Sequence, residues 1–250
     1  MNHITWLAIL IMVVALMTLL RNWFAARQTD AWTKAGAEVG LTYFGRDNDL
    51  LAQFSNRHLF QQAKKCRAEC IEGIRGEVDG REIIVVDLCV PPSSMNRRNR
   101  YWKAVTVCIV SAPEMELPYC LLRPQVPVVD SLGKLFGGQD IDFVEDEGFS
   151  KAFVLQGTSE LSIRSLFNAH LRSWFTDHED QRLYFEGSEH VFLLHTCKMI
   201  PPSNIGTLIE DALGIQRLVS PSESEALNQP NCSHDDQHDA EQRQPEPTYG

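Results

Sequence analysis

Residues 135–143 read LFGGQDIDF, two glycines running into two aspartates one residue apart. Asp140 and Asp142, with Glu145 just beyond the stretch, are hard oxygen ligands of the kind a divalent cation takes. Converging on one ion, the three carboxylates would support metal-assisted hydrolysis, in which the ion acidifies a bound water. The same letters also have a structural reading. In an extended chain Asp140 and Asp142 share one face while Ile141 and Phe143 share the other, the alternation of a strand with one side in the core. Gly137 and Gly138 then supply the turn before it. The structural reading is favoured, and the metal set Asp140, Asp142 and Glu145 stands as its alternative.

Two further stretches carry chemistry. NRRNRYWK (96–103) gathers Arg97, Arg98, Arg100 and Lys103 around two aromatic residues. Near a membrane such a cluster attracts anionic headgroups, at about 1 kcal/mol per basic residue; its bland reading is a solvated loop between strands. CSHDDQHD (232–239) places Cys232, His234 and His238 among aspartates. These are ligand types for zinc or nickel, but the surrounding polar sequence offers no apolar frame to preorganise them. HExxH, P-loop and GxGxxG motifs are all missing. SLGK (131–134) lacks its partner motifs, and GFSKA (148–152) lacks the second glycine of a nucleophile elbow. Cys66 and Cys70 lack further ligands, and His170 and His195 read as hydrogen-bonded structural histidines in apolar runs. No catalytic set and no cofactor are expected.

Charge narrows the partners. The chain of 250 residues carries a net charge of −10. Residues 220–250 contribute −6 of it and residues 28–219 another −6, offset by Arg21 and Arg27. A net-acidic domain is a poor nucleic-acid binder, because that affinity comes from neutralising phosphates. Seven cysteines, an odd number with no C-x-x-C spacing, read as reduced core thiols and favour a reducing compartment.

The elements that would position these residues begin with a membrane segment. Ile4 to Leu20 is apolar apart from Thr5 and Thr18 and has no charge. At about 1.5 Å per residue it spans roughly 25 Å, near the lower limit for crossing a bilayer. Trp6 at one end and Trp23 with Phe24 at the other fit interfacial anchors. A signal peptide is disfavoured, since no basic residue precedes the run and Arg21 follows it directly. Arg21, Arg27 and Lys34 just after the span place the remainder of the chain in the cytoplasm by the positive-inside bias.

Beyond the span, Thr29–Val39 predicts a helix capped by Thr29 or Asp30 and stopped by Gly40, and 47–54 a second, short one. Residues 69–78 and 81–90 predict a hairpin around Asp79-Gly80. Strands are predicted at 104–112, 118–124 and 149–157. Apolar residues at three- and four-residue steps predict one helix from Ser159 to Thr176. A second hairpin is expected around Gly187-Ser188, and a last helix from Pro202 to Leu213 with Gly214 past its end. Together these predict an α+β domain over 28–219 with a largely antiparallel sheet and packed helices. It follows the N-terminal transmembrane anchor of residues 1–27. Residues 220–250, rich in Ser, Glu, Gln and Asn, predict a disordered acidic tail.

The order of GLTYFGRDNDLLAQF, VTVCIVSA with ELPYCLLRP, FGGQDIDF, FSKAFVLQG and RSLFNAHLRSW resembles a group of uncharacterised bacterial membrane-anchored proteins with a single domain of unknown function. The likeness covers about residues 36–215; the acidic tail departs from it. It implies a bacterial inner-membrane protein with structural roles for Gly137-Gly138 and the aspartates, and it carries over no cofactor or catalytic residue. The leading expectation is a single-pass protein whose cytoplasmic domain holds a protein partner at the membrane. The alternatives are a metal-assisted hydrolase and a sensor of anionic lipid. Topology is testable through Cys232: a membrane-impermeant maleimide should label it only after cell lysis, with Cys232→Ser identifying the site. Labelling in intact cells would reverse the orientation.

Overall fold

The computed structural model describes residues 3–89, 104–125 and 140–220. The chain opens on α1 (His3–Glu38), a single helix of 36 residues and so about 54 Å long. No glycine or proline lies between His3 and Ala35, so nothing in the backbone interrupts it. The expected break before a separately capped helix at Thr29 is therefore absent. Among the described residues α1 is the one helix long and apolar enough to cross a membrane, and none of its apolar stretch is buried inside the protein. Large apolar side chains from Trp6 to Phe24 stand exposed, and the Arg27 guanidinium lies 4.8 Å over the Trp23 ring.

From Trp32 onward the same helix joins the domain core, with Trp32 and Ala35 buried. It ends as the sequence predicts. Gly40 takes φ +75°, its N–H donates to Ala37 O at 3.4 Å, and Leu41 N–H donates to Gly36 O at 2.8 Å. This is the Schellman arrangement, in which a left-handed glycine closes off the last carbonyls.

The domain is α+β. Its sheet comprises β1 (Thr42–Tyr43), β2 (Glu69–Val78), β3 (Arg81–Cys89), β4 (Ala104–Ser111), β5 (Leu117–Pro124), β6 (Phe153–Gly157), β7 (Tyr184–Glu189) and β8 (Val191–His195). The order across the sheet is β1-β2-β3-β4-β8-β7-β5-β6, and the neighbouring pairs are antiparallel. The late hairpin β7–β8 thus sits between β4 and β5, which are consecutive in sequence. Asp79 and Gly80, both at positive φ, form the β2–β3 turn, as expected of an Asp-Gly pair.

Helices cover the two faces unequally. α4 (Glu147–Ala152), α5 (Glu160–Leu166), α6 (Ala169–Asp177), α7 (Ile205–Val219) and the end of α1 share the larger core on one face. It contains a run of touching aromatic rings, Phe149, Phe153, Phe167, Phe175 and Phe185. α2 (Asp49–Gln53) and α3 (His58–Lys65) cover the other face over β2, β3 and β4 with a smaller core.

Four sequence expectations are corrected. Residues 149–152 belong to α4, because Asp146 caps it by accepting the Phe149 N–H at 3.1 Å; β6 begins only at Phe153. The single helix over 159–176 is two. Ser159 caps α5 as expected, but Asn168 starts α6 by accepting the Leu171 N–H at 3.1 Å. The second hairpin turns at Glu189-His190, since Ser188 pairs with Val191, and Gly187 lies within β7. Finally, α7 runs through Gly214 to Val219, preceded by a 3-10 turn at Pro202–Asn204.

Two glycines give opposed expectations. A Cβ at Gly157 would lie 2.3 Å from Tyr119 O and 2.3 Å from Ile163 Cδ1, and the backbone cannot yield. Gly157→Ala should destabilise the domain by about 1–3 kcal/mol, lowering Tm by several degrees. At Gly214 the nearest atom to a new Cβ is 3.4 Å away. Gly214→Ala should raise Tm, because a mid-helix glycine is about 0.5–1 kcal/mol worse than alanine. Thermal melts of the detergent-solubilised chain check both.

Candidate functional site

The carboxylates singled out in the sequence do not converge. Residues 140–143 run extended beside β6, outside the eight described strands, with Ile141 N–H donating to Leu155 O at 2.8 Å. Ile141 and Phe143 are buried while Asp140 and Asp142 face out, so the predicted alternation is present. Asp140 accepts from the Gln156 amide at 2.6 Å, and the Asp142 carbonyl accepts from Arg164 at 2.9 Å. Glu145 faces Arg172 at 3.5 Å. Among the described residues no group of three His, Cys, Asp or Glu is arranged to hold a metal ion, which also bears on Cys66 and Cys70. Arg97, Arg98, Arg100 and Lys103, the Gly137-Gly138 turn, and the Cys232, His234 and His238 cluster lie outside the described residues.

Arg172 explains this acidic loop. Its side chain is only 9% exposed. It donates to Asp146 at 3.0 Å and to the Phe167 carbonyl at 2.8 Å, and it lies 4.3 Å over the Phe143 ring. The bond from Phe149 N–H and the Arg172 guanidinium hold the Asp146 carboxyl below its usual range. One cation therefore joins the loop, α4 and the α5–α6 corner. Of the acids here, Glu145 and Asp146 are partners of Arg172.

A pocket forms elsewhere, on the sheet face away from the larger core. It is a small cavity of about 100 Å³, partly open to solvent. Its wall is α3, through His58, Leu59 and Gln62. Its floor is Leu121 and Arg123 of β5, Tyr184 and Glu186 of β7, and His195 of β8, with Cys197 just beyond. Residues two apart in a strand share a face, which sets both the Leu121/Arg123 and Tyr184/Glu186 pairs on this side. Tyr184 and His195 are register partners, and their rings stack at 4.9 Å.

Glu186 fixes the wall to the floor. α3 has no side-chain cap of its own. Instead, the buried Glu186 accepts from His58 N–H at 2.6 Å and Leu59 N–H at 3.1 Å, filling an N-cap role from across the sheet. Burial raises its carboxyl, against the pull of those two N–H groups and Arg57.

Two further polar groups, His195 and Cys197, are uncharged. His195 is buried, and its Nδ1 accepts the Cys197 N–H at 3.1 Å, leaving the ring proton on Nε2. Burial, aided by His58, brings this imidazole down to about 3. Cys197 Sγ lies 3.6 Å from the same nitrogen. Burial pushes the thiol up, with Tyr184 and Arg182 acting the other way. A protonated thiol beside a neutral imidazole is not an activated nucleophile, which requires a thiolate. The arrangement is suited to binding. His195 is thus the hydrogen-bonded structural histidine expected, whereas His170 is exposed. Tyr184, Glu186 and Cys197 escaped the sequence reading as site residues; the alternation in RLYFEGSE is the signal that could have drawn attention to the first two.

A second polar group lies on the face that α1 covers. Glu72 and Asp87 are register partners on β2 and β3. Tyr43 donates to Glu72, and the Tyr43 hydroxyl is 3.5 Å from Thr29 of α1. Asp87 accepts from the Thr106 hydroxyl, which in turn accepts from Ile200 N–H at 2.8 Å. Burial raises Asp87 to about 7, opposed by Thr106 and assisted by Glu72. An acid raised on folding binds its proton more tightly in the folded chain. Its contribution to stability therefore falls as pH rises from the ordinary carboxylate value towards 7, and is flat above. Asp87→Asn should grow more stable relative to the parent from pH 4 to 7 and hold that advantage at pH 8. Urea midpoints across this range measure it, and a pH-independent difference would count against the assignment.

No family model matches the sequence, and no curated protein matches it. Among solved structures the fold is similar to the crystal structure of the mycobacterial trehalose monomycolate transport factor A, TtfA. The TM-score is 0.52 at 12% identity, over 78% of this chain and 91% of that chain. The likeness is one of fold: an α+β domain built on a largely antiparallel sheet.

Proposed function

We propose that this protein is a single-pass membrane-tethered accessory factor, whose domain binds a protein partner at the cytoplasmic face of a bacterial inner membrane and serves transport rather than catalysis. The observation that carries the reading is α1 itself. One uninterrupted helix begins as an exposed apolar stretch and ends buried against the sheet. Leu20 and Trp32 are separated by twelve residues of continuous helix, about 18 Å, so the domain is held at a set height rather than on a slack tether. Arg21, Arg27 and Lys34 support the cytoplasmic orientation. The fold likeness to a transport factor supports the transport role, and the protonated Cys197 thiol beside an uncharged His195 supports binding over turnover.

The full chain should stay in the membrane pellet after alkaline carbonate washing, and deletion of residues 1–27 should release it. A photocrosslinking side chain at the exposed Tyr119, Leu161 or Met199 should then give a discrete adduct with a membrane protein in intact cells. Inserting a flexible Gly-Ser segment between Arg27 and Gln28 should reduce its yield. Extraction of the full chain by carbonate, or adducts that are diffuse and indifferent to the insertion, would overturn the reading.

A further inference from the structure

We propose that the end of the sheet nearest the anchor docks on the anionic headgroups of the bilayer, through Lys64, Lys65 and Arg67 ahead of β2 and Lys198 with Met199 beside β4. The inference rests on the tethering reading of α1 and extends it by assigning the surface that meets the lipid. Direction is the first argument. Gly36 of α1 lies against Ile74, while Thr29, earlier in the helix, is linked through Tyr43 to Glu72. Helix and strand β2 therefore advance together. Towards its N-terminus α1 leaves past the end where β2 and β4 begin and β3 and β8 finish. From Glu72 to Glu69 is about 10 Å of strand, and from Thr29 to Leu20 about 13 Å of helix. The strand ends thus lie close to the level at which the apolar segment stops.

Charge is the second argument. Among the described residues, the connecting segments within three residues of a strand end carry Arg46, Arg67, Lys151, Arg182 and Lys198 at this end. At the opposite end they carry Asp79, Glu114, Glu116 and Glu160. A net-acidic domain thus turns basic connections towards the bilayer, where they attract anionic lipid within a Debye length. Arg46 pairs with Glu69 and Lys151 with Glu147, and Arg182 follows Glu179 and Asp180 in the chain. The contact is therefore assigned to the part beside α1. There Lys64, Lys65, Arg67 and Lys198 are exposed, and among the described residues none of them is in an ion pair. The Lys198 carbonyl accepts from Thr106 N–H at 3.0 Å, which sets Lys198 and Met199 against the start of β4. Met199 is exposed, an apolar side chain beside a cation, the pairing that suits a headgroup boundary.

The lysines report on the contact. The full chain is placed in phosphatidylcholine nanodiscs with or without phosphatidylglycerol and pulsed with N-hydroxysuccinimidyl acetate. The acetylation rate of each lysine is followed by peptide mass spectrometry. Lys34, exposed on α1 and about 21 Å of helix from Leu20, serves as the internal control. Phosphatidylglycerol should slow Lys64, Lys65 and Lys198 at least threefold relative to Lys34, and about 0.5 M sodium chloride should restore the rates. Replacing Lys64, Lys65 and Arg67 together by Glu should abolish the slowing at Lys198. In the parent chain, slowing that salt leaves unchanged would overturn the proposal without recourse to any variant, and slowing at Lys198 that survives the triple replacement would overturn the joint face. A chain that co-purifies with the discs but is acetylated alike in both lipids would overturn the docking face and leave the tether standing. A chain that fails to enter the discs would overturn both readings.

Discussion

The close approach of α1 to the sheet is the constraint from which the rest of the architecture follows. A side chain at Gly36 would meet Leu41 O at 2.8 Å and Ile74 Cγ2 at 3.0 Å, so only a glycine lets the helix lie this near. Trp32, one turn earlier, is almost wholly buried in the same core. Since the helix continues without a break into its apolar segment, the domain cannot swing freely beneath it. Bending would require breaking consecutive backbone hydrogen bonds. Thr29 and Tyr43 link the helix to the polar row that reaches Glu72, so α1 meets the sheet through both apolar and polar contacts.

The sheet then divides the molecule into a closed face and an open one. On the closed face the phenylalanine cluster and Arg172 join α4, α5 and α6 to one another and to the acidic loop. A nearly buried guanidinium is tolerated there because carboxylates and a carbonyl surround it. On the other face, α2 and α3 pack their apolar side chains against β2 to β4 and Leu193 of β8. At the edge of that core, under the start of α3, β5 and β7 present Arg123, Tyr184 and Glu186. The pocket lies at that boundary, where apolar cover gives way to polar side chains.

Much of this was legible in the sequence. Hydropathy marked the apolar segment, Asp79-Gly80 the first hairpin, Gly40 the helix stop, and alternation in QDIDF the inward Ile141 and Phe143. The errors share a cause. From Phe149 to Leu155 apolar residues satisfy helix and strand periods alike, and the Asp146 cap decided between them. From Leu161 to Phe175 helical spacing persists across a corner at Phe167-Asn168, because both helices bury one face against the same core. Gly187 imitated a turn residue but lies in a strand.

Local features, then, were determined by the sequence alone: the anchor-like helix, the α+β class, the first hairpin turn and several caps. Each depends on residues within a few positions of one another. Only the tertiary structure decided that β7–β8 inserts between β4 and β5. It alone brought Glu186 to the start of α3, more than a hundred residues away, and gathered Arg123, Tyr184, His195 and Cys197 around one space. Strand order and long-range capping depend on which apolar faces find each other in three dimensions, and no periodicity in the chain records that choice.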